Sequence, residues 1–409
     1  MFLREGRKGR EICKSHELPY ELVIEILTRL PAKSLMRFKS VSKLWSSIIC
    51  SQYFTDGRLK VSSSPQRIYM WLSFNKSPSQ NVSVLLSSSS PADDTTMSSF
   101  VVDQNLTIPS MEGYFVSQVF CGLMCFINGP SAKIYNTTTR QLVVLPDIEG
   151  SNIVAEDRRN KKFMYHIGHD PLHNQYKVLC IVSAPIGICS RYTSEQWVLV
   201  LGGDGSSRWR NISNPCPSHC PFTQRLTIKG RVYYLAWIIC FHRVLVCFDI
   251  CSEEISMFQV PEGNAPWHFA LYTELIEYGG RVAVLYNEDF DERGVMELWV
   301  RDDAEKNLWS KKTFVLDPSQ MHLLNGIRFR VQGTTRNGEV ILVPQNTSRN
   351  PTTCEMIVED KTTTRFHLFL YNLQNNHLRK VEIKDTSNRY LTNMWDIIGL
   401  DDVENLRYL

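Results

Sequence analysis

The sequence lacks an apolar run long enough to cross a bilayer. Its longest apolar stretch, residues 232–241, has ten residues, whereas a membrane-spanning helix needs about 20. This stretch therefore indicates a buried strand. Residues 1–8 carry charges where a secretory signal would need apolar side chains. We expect a protein of the cytosol or nucleus, whose twelve cysteines are reduced and serve mostly as small core residues.

The sequence also lacks a large excess of either charge. Lys and Arg number 45 against 42 Asp and Glu, and the formal net charge is +3, too small for a surface that coats nucleic acid. The distribution is uneven, because residues 1–60 hold twelve Lys/Arg and six Asp/Glu. The rest of the chain holds 33 and 36 and is slightly acidic. The N-terminal segment is thus the part that would attract an acidic partner.

Motifs of catalysis and metal binding are missing as well. No Gly-x-Ser-x-Gly elbow occurs, and the Gly-rich segment 202–207 lacks the Gly-Lys-Ser/Thr ending of a phosphate loop, so it predicts a hairpin turn. Cys216, His219 and Cys220 have no second ligand pair at a spacing that zinc needs. We predict no catalytic residue, no cofactor and no metal.

We predict structural rather than functional roles for three smaller sets of residues. His166, His169 and His173 flank the turn at Asp170-Pro171, where turn and packing roles are commoner than acid–base chemistry. On strands, residues four apart face one side, so we expect the pairs Cys121/Cys125 and Cys247/Cys251 to be core thiols. We expect the same packing role for four tryptophans, Trp237, Trp267, Trp299 and Trp309.

Residues 16–50 have a helical pattern that does not recur later. Pro19 suits the first turn of a helix over residues 18–30, and Pro31 ends that helix. A second short helix is predicted over residues 32–38, and a third begins near Val41. About forty residues in three helices cannot bury all of these apolar side chains. Five large ones left exposed would forgo roughly 7–15 kcal/mol, so either the C-terminal domain or another protein must cover them.

The spacing of these residues resembles the F-box family. The pattern runs Leu-Pro-x-x-Leu from residue 18, Ile-Leu-x-Arg-Leu-Pro-x-x-Ser-Leu from residue 26, Arg-Phe at 37–38 and Val-Ser-Lys-x-Trp from residue 41. Ser42 stands where Cys is frequent, and Leu44 where a small or charged residue is usual. The resemblance implies docking on an acidic Skp-type adaptor of a cullin–RING ubiquitin ligase. The implied contact residues are Leu18, Pro19, Leu22, Ile26, Leu30, Pro31, Leu35, Val41 and Trp45.

Beyond about residue 66 a strand motif recurs. Apolar segments begin at residues 122, 176, 230, 280 and 338, at intervals of 54, 54, 50 and 58 residues, and a sixth segment begins at residue 66. Each is followed by a strand, a polar turn and a second strand, as in residues 133–146, 197–212, 246–258, 298–312 and 369–381. Residues 87–96 predict a polar loop inside the first unit.

A period near 55 residues with about four short strands is typical of a β-propeller blade. We therefore predict a mainly β fold: a propeller-like domain of about six blades behind a three-helix module. The apolar tail, residues 394–400, is expected to return and close the ring. A stack of antiparallel sheets in a sandwich is the alternative. Residues 121–123, 168–171 and 230–237 resemble the F-box-associated domain of plant proteins.

These observations predict four segments: a basic N-terminus over 1–14, an F-box module over 15–56, a linker over 57–66 and the β domain over 67–409. The expected function is that of a non-catalytic adaptor, the substrate receptor of an SCF-type ubiquitin ligase, which binds an unknown target protein and neither nucleic acid nor membrane. Two alternatives remain. One is a propeller enzyme or carbohydrate-binding protein with an incidental helical cap, and the other is an F-box protein that only sequesters its target.

Overall fold

The computed structural model of the protein describes residues 19–51, 53–54, 67–77, 80–89, 99–155, 160–186, 191–202, 208–212, 216–222, 226–239, 242–261, 273–303, 308–324, 327–335, 337–345, 366–384, 395–401 and 405–406. The chain divides into two compact units, residues 1–63 and 64–409. We call them the helical unit and the β unit. Leu18, the predicted linker 57–66 and Trp267 lie outside the described residues. No described helix is long and apolar enough to span a bilayer.

The helical unit contains the three predicted helices: α1 (Tyr20–Thr28), α2 (Ala32–Lys39) and α3 (Lys43–Cys50). The described part of the β unit contains two short helices, α4 (Asn152–Ala155) and α5 (Phe290–Arg293), and 3₁₀ turns over Pro109–Met111 and Pro318–Leu323.

The described part of the β unit forms six successive groups of strands, which we number sheets 1 to 6. Sheet 1 has β1 (Arg67–Ser77), β2 (Gln80–Ser89) and β3 (Ser99–Asn105). Sheet 2 has β4 (Phe115–Phe120), β5 (Leu123–Asn128), β6 (Ser131–Asn136) and β7 (Leu142–Val144). Sheet 3 has β8 (Lys162–Asp170), β9 (Gln175–Ile186), β10 (Arg191–Val200) and β11 (Arg210–Asn211).

The chain continues in the same way. Sheet 4 has β12 (Cys220–Pro221), β13 (Leu226–Ile228), β14 (Arg231–Trp237), β15 (Arg243–Asp249) and β16 (Ile255–Gln259). Sheet 5 has β17 (Thr273–Tyr278), β18 (Arg281–Tyr286), β19 (Val295–Asp303) and β20 (Leu308–Val315). Sheet 6 has β21 (Arg328–Thr334), β22 (Glu339–Gln345), β23 (Phe366–Asn372) and β24 (His377–Lys384).

The C-terminal strand completes sheet 1. Strand β25 (Trp395–Asp401) pairs antiparallel with β1, which confirms the predicted return of the tail. Beyond it, the buried Asn405 side chain donates hydrogen bonds to the Cys121 carbonyl and the Tyr176 hydroxyl, both at 2.8 Å. Sheets 1 and 6 are joined by a parallel pairing of β3 with β24 into one eight-stranded sheet. Closure of a complete ring stays a prediction.

The sequence repeat corresponds to one strand position in every sheet. The aligned segments are β1, β5, β9, β14, β18 and β22, and each pairs on one side with the next strand of the chain. On the other side each pairs with the preceding strand or strands of its sheet, except that β1 pairs with the C-terminal strand β25. These central strands are largely buried, as in β5, β14 and β18. Their apolar runs are continuous because both faces of each sheet pack against a neighbouring sheet. The prediction of a mainly β, propeller-like fold is confirmed.

Tight turns repeat before the central strands. Three of them place two residues with positive φ in succession, which is the backbone of a type I′ hairpin: Cys121-Gly122, Lys229-Gly230 and Gly279-Gly280. Before β9, the last position of the turn, which is glycine in the other three, is taken by Asn174 with φ of 50°. Asparagine tolerates this region better than most residues, which explains why the repeat survives there without glycine.

The turns before the last strands of sheets 2, 4 and 6 also share a hydrogen-bonding pattern. Asn136, Asp249 and Asn372 end β6, β15 and β23, and each side-chain oxygen accepts hydrogen bonds from two backbone N–H groups two and three residues later. Such Asx turns reverse the chain without a type I′ pair. The polar turns predicted at these positions are confirmed.

Two sequence predictions need correction. Cys125 and Cys247 lie buried on strands, but Cys121 and Cys251 lie in turns and are only half-buried. The prediction that the two cysteines of each pair share a strand face was wrong. Strand β5 begins between Cys121 and Cys125, and strand β15 ends between Cys247 and Cys251. The predicted polar loop 87–96 was wrong at its start, since Ser87 and Ser88 are buried in β2. Residues 90–96 lie outside the described part of the chain.

Gly168 allows sheets 3 and 4 to approach closely. A Cβ atom built on Gly168 would lie 2.1 Å from Cδ1 of Ile250, well inside van der Waals contact. Gly168→Ala should lower the free energy of unfolding by about 1–3 kcal/mol, as over-packing in a tight core does. Ile250→Val removes that Cδ1 atom, so the double variant should cost less than the sum of the two single changes. Strictly additive costs in chemical denaturation would contradict the contact.

Candidate docking surface and polar clusters

Local signals fix the three helices of the helical unit. Pro19 and Pro31 each stand just before a helix, and their carbonyls accept the first helical N–H groups, at 3.1 Å from Val23 and 2.9 Å from Ser34. Ser42 caps α3, and its Oγ accepts the N–H of Trp45 at 3.1 Å. A side-chain cap of this kind stabilises a helix by about 1 kcal/mol. Serine at position 42 is therefore suited to starting the third helix.

Part of the apolar content of these helices forms a small core. Its buried members are Leu27, Ala32, Leu35, Ile48, Ile49 and Phe54. The rings of Phe38 and Trp45 stack beside it, with centroids 5.3 Å apart. One predicted contact residue, Leu35, has no exposed surface. We therefore assign Leu35 to this core rather than to a surface that a partner could touch.

The remaining large apolar side chains are exposed. Leu22 and Ile26 lie four residues apart on α1, hence on one face, and are 46% and 52% exposed. Val41 and Leu44, at the start of α3, are 68% and 66% exposed. Tyr20 and Tyr53 are more than half exposed as well. Covering six such side chains would contribute on the order of 5–10 kcal/mol, comparable with the stability of a whole domain.

The other predicted contact residues divide between surface and interior. Pro19 and Pro31 are exposed, like Leu22, Ile26 and Val41, whereas Leu30 and Trp45 are half-buried. Sequence reasoning missed three exposed residues: Tyr20, Leu44 and Tyr53. The signal for Leu44 was present, since an apolar residue there departs from the usual pattern. Tyr53 lies in a further helical segment beyond α3 and carries no periodic signal.

The helical unit is cationic around these side chains. Residues 19–51 hold five Lys/Arg, among them Arg37 and Lys43, against two acidic residues, Glu21 and Glu25. Glu25 is paired with Arg29 at 2.6 Å, one turn along α1. Both partners are more than half exposed, so this pair adds little to stability. A partner that covers the apolar side chains would be favoured if its own surface is acidic.

The histidines of the β unit have structural partners. Nε2 of His169 lies 3.0 Å from Oδ1 of Asn174, across the turn. His166 is buried and its ring stacks on Tyr234 at 5.2 Å. Nδ1 of His173 lies 2.8 Å from Oδ2 of Asp170. The three residues do not converge on one open point, in agreement with the turn and packing roles that the sequence predicted.

The segment from Cys216 to Cys220 is held by hydrogen bonds of His219. Nδ1 of the buried imidazole donates to the Pro217 carbonyl at 2.9 Å, so Nε2 accepts the hydroxyl of Tyr234 at 2.9 Å. Burial lowers the pKa of His219, which keeps the ring neutral. Both ring nitrogens are thus engaged in hydrogen bonds within the protein. Among the described residues, no three His, Cys, Asp or Glu side chains are grouped as metal ligands would be.

An ion cluster with a buried centre joins sheets 3 and 4. Nζ of Lys177, in β9, lies 2.9 Å from Oδ2 of Asp170 and 3.0 Å from Oε1 of Glu253, and donates to the Ile250 carbonyl at 2.9 Å. Arg210 pairs with the other oxygen of Glu253. Asp170 has no exposed surface, and Lys177 is nearly as buried. We call Asp170, Lys177, Arg210 and Glu253 the Lys177 cluster.

Ion pairing shifts the pKa values of this cluster. Burial alone raises the pKa of Asp170, but hydrogen bonds from Lys177 and His173 outweigh it and hold that pKa well below its usual range. For the amine of Lys177 the directions are reversed. Burial lowers its pKa, but the carboxylates of Asp170 and Glu253 outweigh burial, and the pKa of Lys177 is raised. The pKa of Glu253 is lowered by Arg210 and Lys177 despite its burial. All members are therefore charged at neutral pH and act as a structural clamp.

Comparisons with known proteins match two separate segments of the chain to protein families. Residues 15–56 match the F-box domain, and residues 69–403 match the F-box associated beta propeller domain. An F-box/kelch-repeat protein of Arabidopsis thaliana is 58% identical over 98% of this chain and 94% of its own length. An F-box protein of the same plant is 57% identical over 99% of this chain and 96% of its own length.

Solved structures are similar only at a low level. A fucose-specific lectin from Aleuria aurantia covers 78% of this chain and 94% of its own, with 9% identity and a TM-score of 0.39. A likeness this low supports no statement about ligand or activity.

Proposed function

The chain belongs to the plant F-box proteins that carry an F-box associated β-propeller domain, and on that premise we propose that it is the substrate receptor of an SCF-type ubiquitin ligase. The observation that carries the proposal is the F-box match over residues 15–56, on a unit whose Leu22 and Ile26 remain exposed on one face of α1. The helical unit would bind a Skp-type adaptor, and the β unit would bind the target.

The adaptor interface would use the exposed apolar residues as its buried centre. Leu22, Ile26 and Val41 would insert into the adaptor, with Tyr20, Leu44 and Tyr53 as further candidates. Leu30 and Trp45 would contribute their exposed parts, while Leu35 would act only by supporting the helices from within. The cationic residues near them, such as Arg37 and Lys43, would speed encounter with an acidic adaptor.

The chain would act through proximity rather than chemistry. Holding a target beside the charged conjugating enzyme raises the local concentration of its acceptor lysines. Rigid sheets that present connecting loops are a suitable frame for such binding. A propeller enzyme or carbohydrate-binding protein with an incidental cap is the competing proposal, but the match of residues 15–56 to the F-box domain argues against an incidental cap. The cytosol or nucleus, where such ligases work, is the proposed location.

Reconstitution tests this function. The full chain and a purified plant Skp-type adaptor should elute from size-exclusion chromatography as one complex, which then binds the cullin. Failure of the wild-type chain to bind any Skp-type adaptor would overturn the proposal. Depletion of the chain in plant cells then separates two modes of action, because a degraded target gains half-life whereas a sequestered one does not.

A further inference from the structure

A row of three side chains crosses from sheet 3 to sheet 4. Arg191, the first residue of β10, is paired with Ile186 at the end of β9. On its other side Arg191 forms an isolated antiparallel bridge with Ile239, just beyond β14. Residues directly opposite each other in paired strands share a face, with Cβ atoms about 4.5–5.5 Å apart. Ile186, Arg191 and Ile239, which we call the Arg191 row, therefore lie side by side.

The Arg191 row is open to solvent. Ile186 and Ile239 are 44% and 48% exposed, and Arg191 is exposed between them. In the part of the chain that the structure describes, no ion pair is formed by Arg191. The backbone bridge between Arg191 and Ile239 fixes the spacing of the two sheets at this point, so the row is held in place before any partner binds.

The charge within the Arg191 row is positive. His242 is exposed three residues beyond Ile239, and Arg243 is half-buried next to it. Glu195, four residues from Arg191 and on the same face of β10, is already engaged: it accepts N–H groups of Asn152 and Ile153 and the indole N–H of Trp197. An arriving carboxylate would thus meet the guanidinium of Arg191 while the carboxylate of Glu195 is occupied by these donors.

We propose that the Arg191 row binds an acidic segment of the target protein, an inference that rests on the proposed receptor function. A carboxylate of the segment pairs with the guanidinium of Arg191, which suits planar, two-point binding of carboxylates. Aliphatic side chains beside that carboxylate pack on Ile186 and Ile239. The alternation of aliphatic, cationic and aliphatic groups in the row selects for the complementary alternation in the partner.

The test uses a phage library of random twelve-residue peptides, selected on the full chain bound to its adaptor. Selected peptides should be enriched in Asp or Glu beside Ile, Leu or Val. Their affinity, measured by fluorescence anisotropy, should fall at least tenfold for Arg191→Glu and for Ile239→Asp, and should fall as salt rises. The matched control is Lys229→Glu, at the opposite end of sheet 4, which should leave affinity unchanged.

Several results would overturn the inference. These are no enrichment of any peptide, enrichment without acidic residues, or equal binding to wild type and Arg191→Glu. Adaptor capture is measured on the same samples. Capture without peptide binding refutes only the Arg191 row, whereas loss of capture by the wild type refutes the receptor function itself. Should Arg191→Glu fail to fold, Arg191→Ala gives the same reading, since it removes the charge without reversing it.

Discussion

Replacing Lys177 with methionine should lower the free energy of unfolding of the β unit by about 3–5 kcal/mol, the cost of breaking a buried ion pair by removing one partner. Methionine keeps most of the volume of the side chain but leaves the carboxylates of Asp170 and Glu253 without the cation that lies within 3.0 Å of both. Asp170 has no access to water that could replace the cation. Chemical denaturation followed by tryptophan fluorescence measures the effect.

The matched control is Lys312→Met in the outer strand β20. Lys312 is exposed, donates to the hydroxyl of Tyr278 at 3.1 Å and lies 4.7 Å from the centre of its ring. The change at this exposed site should therefore stay within about 0.5 kcal/mol. Adding Asp170→Asn to Lys177→Met should restore part of the loss, because the uncompensated charge is removed. A Lys177→Met protein as stable as the control would show that the cluster does not hold sheets 3 and 4 together.

The same cluster predicts how stability depends on pH. The pKa of Asp170 is lower in the folded protein than in the unfolded chain, where it is about 3.9. Its contribution is therefore complete above that value and is lost as the pH falls through the folded pKa. Lys177 behaves in the opposite sense, because its raised pKa means that its contribution is lost only in strong alkali. Wild type should lose stability in acid more steeply than Asp170→Asn.

A double substitution on α1, Leu22→Asp with Ile26→Asp, should weaken adaptor binding at least roughly 100-fold, or about 2.7 kcal/mol. Both side chains are about half exposed on one helix face, so the helical unit should still fold while its interface receives two carboxylates. Burying those charges against an acidic adaptor is unfavourable for two reasons. The carboxylates lose their hydration, and they are repelled by the negative charges of the adaptor. Titration calorimetry with the purified adaptor measures the change.

The control repeats the same chemical change in the β unit. Val144 and Leu172 are 65% and 79% exposed, and Val144→Asp with Leu172→Asp should leave adaptor affinity unaltered. Circular dichroism should show equal helix content in both double variants. If the α1 variant bound as tightly as wild type, the exposed residues of α1 would not be the docking surface, and the interface would have to be sought on Val41, Leu44 and Tyr53.

The repeat could be predicted from the sequence because its cause is local. Central strands such as β5 and β14 are buried on both faces, so they appear as apolar runs, and the turns before them require glycine or a residue such as Asn174 that tolerates positive φ. The start of α3 was predictable only within two residues. Ser42, considered only as a departure from the family pattern, fixes the helix start at Lys43 by capping it.

Other features depend on residues that are far apart in the sequence. The partners of Lys177 include Glu253, in a turn of the next sheet, and nothing near either residue indicates that pairing. The parallel pairing of β24 with β3 likewise joins chain segments that are distant in sequence. The Arg191 row follows from one bridge between two sheets. Burial of Leu35 was missed because a helical pattern does not show which side meets a core.

The pairing of β1 with β25 sets an order of events during protein synthesis. These strands are separated by about 330 residues, which a ribosome adds in roughly 20–60 s. Throughout that time β1 lacks one neighbour, and its free edge is open to wrong pairing unless a chaperone covers it. The contacts within α1, α2 and α3 are local and form early. The helical unit, with the docking surface proposed for the adaptor, would therefore be complete while sheet 1 of the β unit still waits for its last strand.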